Sequence, residues 1–368
     1  MNTKANSLDE DYMKQALRLA RRGLGKTSPN PMVGAVIVKD KRIIGQGYHR
    51  RFGGKHAEIN AFENAGESIN GATLYVTLEP CCHYGKTPPC VDAVIREKLG
   101  RVVIGTTDPN PLVNGNSISR LKQQDIVTTV GVLENECRSL NEAYFKYIIT
   151  GLPLVTVKFA QTLDGRIATA TGSSRWISSA ESQRLAHKLR ITNDAIMAGI
   201  GTILADDPQL TARLTRGKNP TRIVLDSRLR ISPEAKVLAD QTTAPTIVIT
   251  TAHADKKGLS LLKQKGIDVL VAPEDERDQI DIGRVLKILG ERGITSVLVE
   301  GGAEVITSLL HLKLADKLVI IVAPRIMGEG IAAVGELNIR DISQTLKLSF
   351  TRTYRLGEDL VIEASIRD

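Results

Sequence analysis

The chain has 368 residues, 42% hydrophobic and 24% charged, the composition of a water-soluble globular protein long enough for two domains. No apolar run reaches transmembrane length and the acidic start, Ser7 to Asp11, lacks a signal core, so the expectation is a cytoplasmic protein without membrane partners. The net charge of +8 is spread evenly, 20 basic against 15 acidic residues over 1–150 and 29 against 26 over 151–368; it suits a phosphorylated small molecule at least as well as a nucleic acid, and with only 4% aromatics base-stacking platforms are not expected.

In chain order, Leu8 to Arg22 is predicted as an amphipathic helix with Met13, Ala16, Leu17 and Ala20 on one face. Met32 to Val38 and Arg42 to Tyr48 are apolar runs around Lys39-Asp40-Lys41 and predict a hairpin. A helix is expected from His56 to Ala65, a strand at Thr73 to Thr77, a helix from Cys90, strands at Arg101 to Thr106 and Asp125 to Val130, and a helix from Leu133 to Ile149. Strands alternating with helices predict a layered α/β domain over 1–150.

Gly151-Leu152-Pro153 breaks that pattern, and a second α/β domain is expected over 151–368. Its predicted strands are Leu154 to Ala160, Ala195 to Gly199, Arg222 to Asp226, Thr246 to Thr250, Val297 to Glu300 and Leu318 to Val322, with a closing hairpin of Leu346 to Thr353 and Leu360 to Ile366. Ser178 and Glu181 are expected to form a capping box for a helix from Ala180 to Arg190. No short internal repeat or low-complexity segment stands out.

The chemistry concentrates between His56 and Cys90, in His56-Ala57-Glu58 and then Glu79-Pro80-Cys81-Cys82-His83-Tyr84-Gly85-Lys86-Thr87-Pro88-Pro89-Cys90. One imidazole and two thiolates hold Zn2+ tetrahedrally and leave a fourth position for water. A glutamate that is not a ligand then moves protons from that water to a leaving amine, which is what a zinc deaminase needs. Three cysteines within ten residues after His-x-Glu are hard to ascribe to core packing. A closed structural zinc with Cys82 or His83 as fourth ligand is the competing reading. Eight residues separate Cys81 from Cys90, where the usual deaminase signature has two.

The second half is less explicit. Val299-Glu300-Gly301-Gly302-Ala303-Glu304 and Gly199-Ile200-Gly201-Thr202 lie where strands meet helices, so their backbone N–H groups suit a phosphate, or serve only as tight turns. Trp176, the sole tryptophan, sits in a stretch of small residues, where it stacks on a ring or packs partly buried.

Taken together, His56-Ala57-Glu58, Leu78-Glu79-Pro80-Cys81, Gly85-Lys86-Thr87-Pro88-Pro89-Cys90, Thr162-Leu163-Asp164-Gly165, Ala205-Asp206-Asp207-Pro208 and Glu300-Gly301-Gly302 closely resemble the bifunctional riboflavin-biosynthesis deaminase/reductase family, over nearly the whole chain. The resemblance implies a cytidine-deaminase-like N-terminal domain and a dihydrofolate-reductase-like C-terminal domain. It implies loss of the 2-amino group of a diaminopyrimidine carrying a phosphoribosylamino group, then reduction of ribosyl to ribityl with NADPH.

By motif, His56, Cys81 and Cys90 are similar to the family's zinc ligands and Glu58 to its proton shuttle, while Cys82 becomes a bystander. Asn30, Lys86, Thr87, Asp108 and Asn110 match positions lining the deaminase pocket; Asn116 stands where relatives commonly show lysine. The resemblance assigns cofactor contacts to Ala160, Trp176, Thr202, Asp206, Ser227, Gly301 and Gly302, and reductase substrate contacts to Ser174, Arg190, Leu210, Arg213 and Glu300. Lys158 and Asp206 are candidates for the acid of the reduction, and a homo-oligomer is expected.

Overall fold

In a computed structural model that describes residues 7–84 and 88–367, strands before Gly151 pair only with one another, as do those after it. The chain accordingly divides into two units, 1–151 and 152–368. Among the described residues no helix is long and apolar enough to cross a membrane.

The first unit runs α1 (Ser7–Ala20), β1 (Gly34–Lys39), β2 (Arg42–Tyr48), α2 (Ala57–Glu63), β3 (Thr73–Leu78), α3 (Cys90–Arg96), β4 (Arg101–Thr106), α4 (Asn116–Gln123), β5 (Val127–Val130), α5 (Glu134–Leu140) and α6 (Glu142–Thr150). Its five-stranded sheet has the order β2-β1-β3-β4-β5, antiparallel among the first three strands and parallel from β3 to β5. Alternation along β1 explains the layering. Ala35 and Ile37 join Ala57, Ala61, Val91, Val94 and Leu121 from α2, α3 and α4, whereas Val36 and Val38 join Met13, Ala16 and Leu17 from α1. Each fully buried Val, Leu or Ile contributes about 1.5–3 kcal/mol, so a sheet covered on both faces is held largely by its side chains.

Two expectations need correction here. The single helix expected over Leu133 to Ile149 is two helices, interrupted at Asn141 (φ −114°, ψ 24°). The Asn141 amide explains the break: its Oδ1 accepts from the Met32 N–H (2.7 Å) and its Nδ2 donates to the Met32 carbonyl (2.8 Å). Met32 is thereby tied by a side chain, and β1 begins only at Gly34.

The second unit runs β6 (Leu154–Thr162), β7 (Arg166–Thr169), α7 (Ala180–Thr192), β8 (Ala195–Gly199), α8 (Ile200–Asp206), β9 (Thr221–Leu225), β10 (Thr246–Thr250) and α9 (Lys256–Gln264). It continues with β11 (Asp268–Val271), α10 (Ile282–Glu291), β12 (Ser296–Glu300), α11 (Ala303–His311), β13 (Lys317–Ala323), β14 (Gly330–Ala332), β15 (Leu348–Leu356) and β16 (Asp359–Ile366). The main sheet has the order β11-β10-β9-β8-β12-β6-β13-β16-β15, parallel from β11 to β13 and antiparallel over the last two pairings. β7 and β14 form a separate antiparallel pair.

The helix cap is also corrected. Ser179, not Ser178, is the N-cap of α7; its side chain accepts from the Ser182 N–H, and Glu181 takes no part in a capping box. Ser179 is fixed by Asp359, whose Oδ2 accepts from its N–H (2.8 Å) and hydroxyl (2.7 Å), a distant contact that local sequence does not encode.

Candidate active sites

His56 is the N-cap of α2, and Glu58 occupies its first turn. The helix approaches the sheet closely because position 47 on β2 has no side chain: a Cβ there would lie 2.3 Å from the Ala57 carbonyl oxygen and from the Ala61 nitrogen. Cys81 follows β3 and Cys90 opens α3, whose first amides turn back on the cysteine loop: Val91 N–H donates to the Cys81 carbonyl (3.1 Å) and Cys90 N–H to Cys81 Sγ (3.3 Å).

His56 Nδ1 is 3.2 Å from Cys90 Sγ and 3.5 Å from Cys81 Sγ, and the three ligand atoms lie within 4.8 Å of one another. Tetrahedral zinc with ordinary Zn–N and Zn–S bond lengths separates such nitrogen and sulfur atoms by about 3.6 Å, so this donor set fits the ion. Among the described residues Cys82 and His83 are not in the ligand group; the Cys82 thiol donates to the Leu112 carbonyl (3.3 Å). The arrangement is therefore three protein ligands with one open position.

A hydrogen bond from the Cys90 thiol, assisted by His56, holds Cys81 well below the usual thiol range despite burial. Its bond to Cys81 and its burial push Cys90 up. Glu58 is 3% exposed, and burial pushes its carboxyl above the usual range although His56 pulls the other way.

His56, Glu58 and Cys81 open onto a cavity of about 380 Å³ that Asn30, Asp108 and Asn110 also line. Lys86 and Thr87 lie outside the described residues. Sequence reasoning assigned no role to the groups that hold the wall in place. Glu79, 3% exposed, accepts from the N–H groups of Asp108 (3.3 Å), Gly115 (3.0 Å) and Ser117 (3.2 Å), so one carboxylate between the strand end and Cys81 ties down the whole 108–117 loop. Tyr144, from α6, donates to Asp108 (2.9 Å to Oδ1). His49, 2% exposed, sits between Asn30 and the Lys55 carbonyl, and burial pushes its imidazole down, past the Lys55 bond that raises it. Glu79 falls within a family motif, but Tyr144 and His49 carry no sequence signal of their own.

In the second unit the assigned residues gather at the C-terminal ends of the parallel strands, the usual ligand edge of such sheets. Ala160 is near the end of β6, Thr202 in the first turn of α8, Ser227 just past β9, and Glu300, Gly301 and Gly302 end β12 and lead into α11. Both glycines take φ 82°, and a Cβ on either would sit within 3.2 Å of Thr202 Oγ1. Ser174 donates to Asp206 Oδ1 (3.3 Å), Arg175 donates to the Asp206 carbonyl, and Ser227 donates to Gln279 (3.2 Å). Trp176 is 60% exposed with the Arg175 guanidinium 5.9 Å from its ring centre.

Arg190 and Glu300 form a bidentate pair, Nε to Oε1 and Nη2 to Oε2 at 2.8 Å each, and Arg190 Nη1 also donates to the Thr211 carbonyl (2.8 Å). Burial would raise the Glu300 carboxyl, but Arg190, with Lys158 and His187, brings it down to about 2. Burial likewise lowers Lys158. Arg213 is exposed, whereas the Leu210 side chain is buried in the apolar cluster containing Ile200, Ile203 and Val224.

Residues 6–106 match the family model for the cytidine and deoxycytidylate deaminase zinc-binding region, and residues 153–362 match the RibD C-terminal domain. The riboflavin biosynthesis protein RibD of Aquifex aeolicus is 48% identical over 96% of this chain and 98% of its own length, and that of Escherichia coli K12 is 37% identical over 96% and 98%. A crystal structure from Thermotoga maritima, described as a diaminohydroxyphosphoribosylaminopyrimidine deaminase/5-amino-6-(5-phosphoribosylamino)uracil reductase, is similar with TM-score 0.87 and 37% identity, covering 98% of this chain and 99% of that one. Acinetobacter baumannii RibD gives TM-score 0.87 at 34% identity over 98% and 99%.

Proposed function

The chain belongs to the RibD family of bifunctional riboflavin-biosynthesis deaminase/reductases, and on that premise we propose its reactions and the residues that perform them. The first reaction hydrolyses 2,5-diamino-6-(5-phosphoribosylamino)pyrimidin-4(3H)-one to 5-amino-6-(5-phosphoribosylamino)uracil and ammonia. The second reduces the ribosyl group of that product to ribityl with NADPH. The observation that carries the reading is the triangle of His56, Cys81 and Cys90 with buried Glu58 beside it.

Zinc, when bound by His56, Cys81 and Cys90, supplies a Lewis acid that makes water nucleophilic near neutral pH. Glu58, buried beside the ligand set, would take a proton from a water held there and hand one to the departing amine, and its burial favours the protonated carboxyl that the second transfer needs. Asn30, Asp108 and Asn110 hold the pyrimidine, with Asp108 steadied by Tyr144, and Lys86 and Thr87 complete the contacts. NADPH, when bound, supplies the hydride for the second step. Ala160, Trp176, Thr202, Asp206, Ser227 and the Gly301-Gly302 turn hold this cofactor, and Ser174, Arg190, Leu210, Arg213 and Glu300 the sugar phosphate. Exposed Arg213 is available to a phosphate, whereas Arg190 is committed to Glu300 and acts chiefly by fixing that carboxylate. Leu210 contributes through its backbone, since its side chain is buried.

We also propose a cytoplasmic homo-oligomer, a dimer or larger; the free thiols of Cys81, Cys82, Cys90 and Cys137 suit a reducing compartment. The test is to add the diaminopyrimidine substrate to zinc-loaded protein and follow ammonia together with NADPH absorbance. Ammonia release followed by NADPH loss is the expected result. Ammonia without NADPH loss would overturn the cofactor assignment, and neither change, even with the deaminated intermediate supplied, would overturn both.

A further inference from the structure

We propose that His49 is a positioning residue of the deaminase site, turning the Asn30 amide so that its carbonyl end faces the cavity as a hydrogen-bond acceptor for an N–H of the aminopyrimidine. The inference rests on the deaminase reading above and deepens it.

The Lys55 carbonyl can only accept, and it lies 3.1 Å from His49 Nδ1, so that nitrogen carries the proton. In the neutral ring Nε2 is then a bare acceptor, and it lies 3.3 Å from Asn30 Nδ2. The amide must present its NH2 to the ring, because the opposite rotamer would set Oδ1 against the Nε2 lone pair. With Nδ2 engaged by His49, Oδ1 is the amide end left to offer a ligand in the cavity that Asn30, His49 and the zinc ligand His56 line together. The ring itself has little freedom: it is 2% exposed and meets His56 edge-on, with ring centres 5.5 Å apart.

A fixed acceptor selects for a ligand edge that donates. The amino groups of a diaminopyrimidine donate; a carbonyl in the same place would face Oδ1 with repulsion. The relay from the Lys55 carbonyl through His49 to Asn30 therefore fixes the orientation in which Asn30 receives an aminopyrimidine N–H.

The experiment is a double-mutant cycle on zinc-loaded full-length protein, with deamination, zinc content and reduction of the supplied intermediate measured on each variant. His49→Phe keeps the ring volume and removes both nitrogens; Asn30→Ala removes the amide; His49→Gln keeps a donor for Lys55 and an acceptor for Asn30. A contact made equally in ground and transition states appears in KM, so His49→Phe is expected to raise KM about tenfold or more with kcat, zinc content and reduction unchanged. Asn30→Ala should do the same, the double variant should be no worse than either single one, and His49→Gln should recover most of the loss. Additive losses in the double variant, or zinc loss that tracks the defect, would overturn the proposal. If His49→Phe fails to fold, His49→Gln decides: near-parental KM supports the relay, and a tenfold rise with zinc retained overturns it. Absence of deamination in the parental protein would instead count against the function proposed above.

Discussion

The two candidate sites are built in opposite ways. In the first unit the chemistry lies in side-chain atoms, a nitrogen and two sulfurs within 4.8 Å of one another, which need a metal to become a catalyst. In the second it lies at the ends of parallel strands, where backbone turns and one ion pair are already arranged, with Glu300 held ionised by Arg190. The difference teaches that a site can be specified by which residues are present, or by where the fold brings ordinary ones. The first kind should fail by losing its metal and the second by losing its shape.

The largest expected effect is at Glu58. Glu58→Gln should lower deamination by about 10²–10⁴, the usual worth of a positioned proton carrier, while zinc content and reduction of the supplied intermediate stay as they were. Loss of both activities in a folded, zinc-loaded variant would break the comparison. Next is Glu300→Gln, which leaves Arg190 nearly buried without its partner charge; the second unit should lose about 3–5 kcal/mol. Trp176, the only tryptophan, lies in that unit and reports on it, so urea unfolding followed by its fluorescence measures the effect, and unchanged zinc content confines it there.

Acid should sharpen the contrast further. Burial, with Arg190 and Arg213 nearby, holds His187 down to about 4 against an ordinary 6.5. Between those values the unfolded chain binds more protons than the folded unit, so stability falls as pH falls from 6.5 and the loss is complete near 4. Glu300, at about 2 against 4.5, adds a second loss in the same direction below pH 4.5. Melting curves from pH 7 to 3 read by Trp176 fluorescence should show this decline, and His187→Gln should flatten its first part. The smallest effect is expected at Cys82→Ser, which leaves zinc content and deamination essentially unchanged because the thiol bonds to the Leu112 carbonyl and not to the ligand group. Metal loss in that variant would restore the closed structural site.

Legibility followed the same division. His56, Glu58, Cys81 and Cys90 could be read in the sequence because few other purposes bring those types together at that spacing. Apart from the short β7, β11 and β14, which were not expected, the strands of both units were legible from their apolar runs. What stayed hidden depends on partners far along the chain. The apolar spacing from Leu133 to Ile149 runs straight through the break at Asn141, because the cause is Met32, more than a hundred residues earlier. Ser178 and Ser179 are equivalent as local caps until Asp359 selects between them. Glu79 and His49 act on backbone amides, a carbonyl and a neighbouring amide, and such partners leave no motif. The helices α4, α9 and α10 were not among the expectations, although Ile282, Val285, Leu286 and Leu289 of α10 do stand at helical spacing.

The close approach at Gly47 has a consequence for how this protein tolerates variation. Nothing reacts at that residue, yet any side chain on it would drive α2, and with it His56 and Glu58, away from the sheet. A saturation library scored for deaminase activity should therefore find position 47 as intolerant as Cys81. A survey that equated intolerance with chemistry would mistake a spacer for a catalyst.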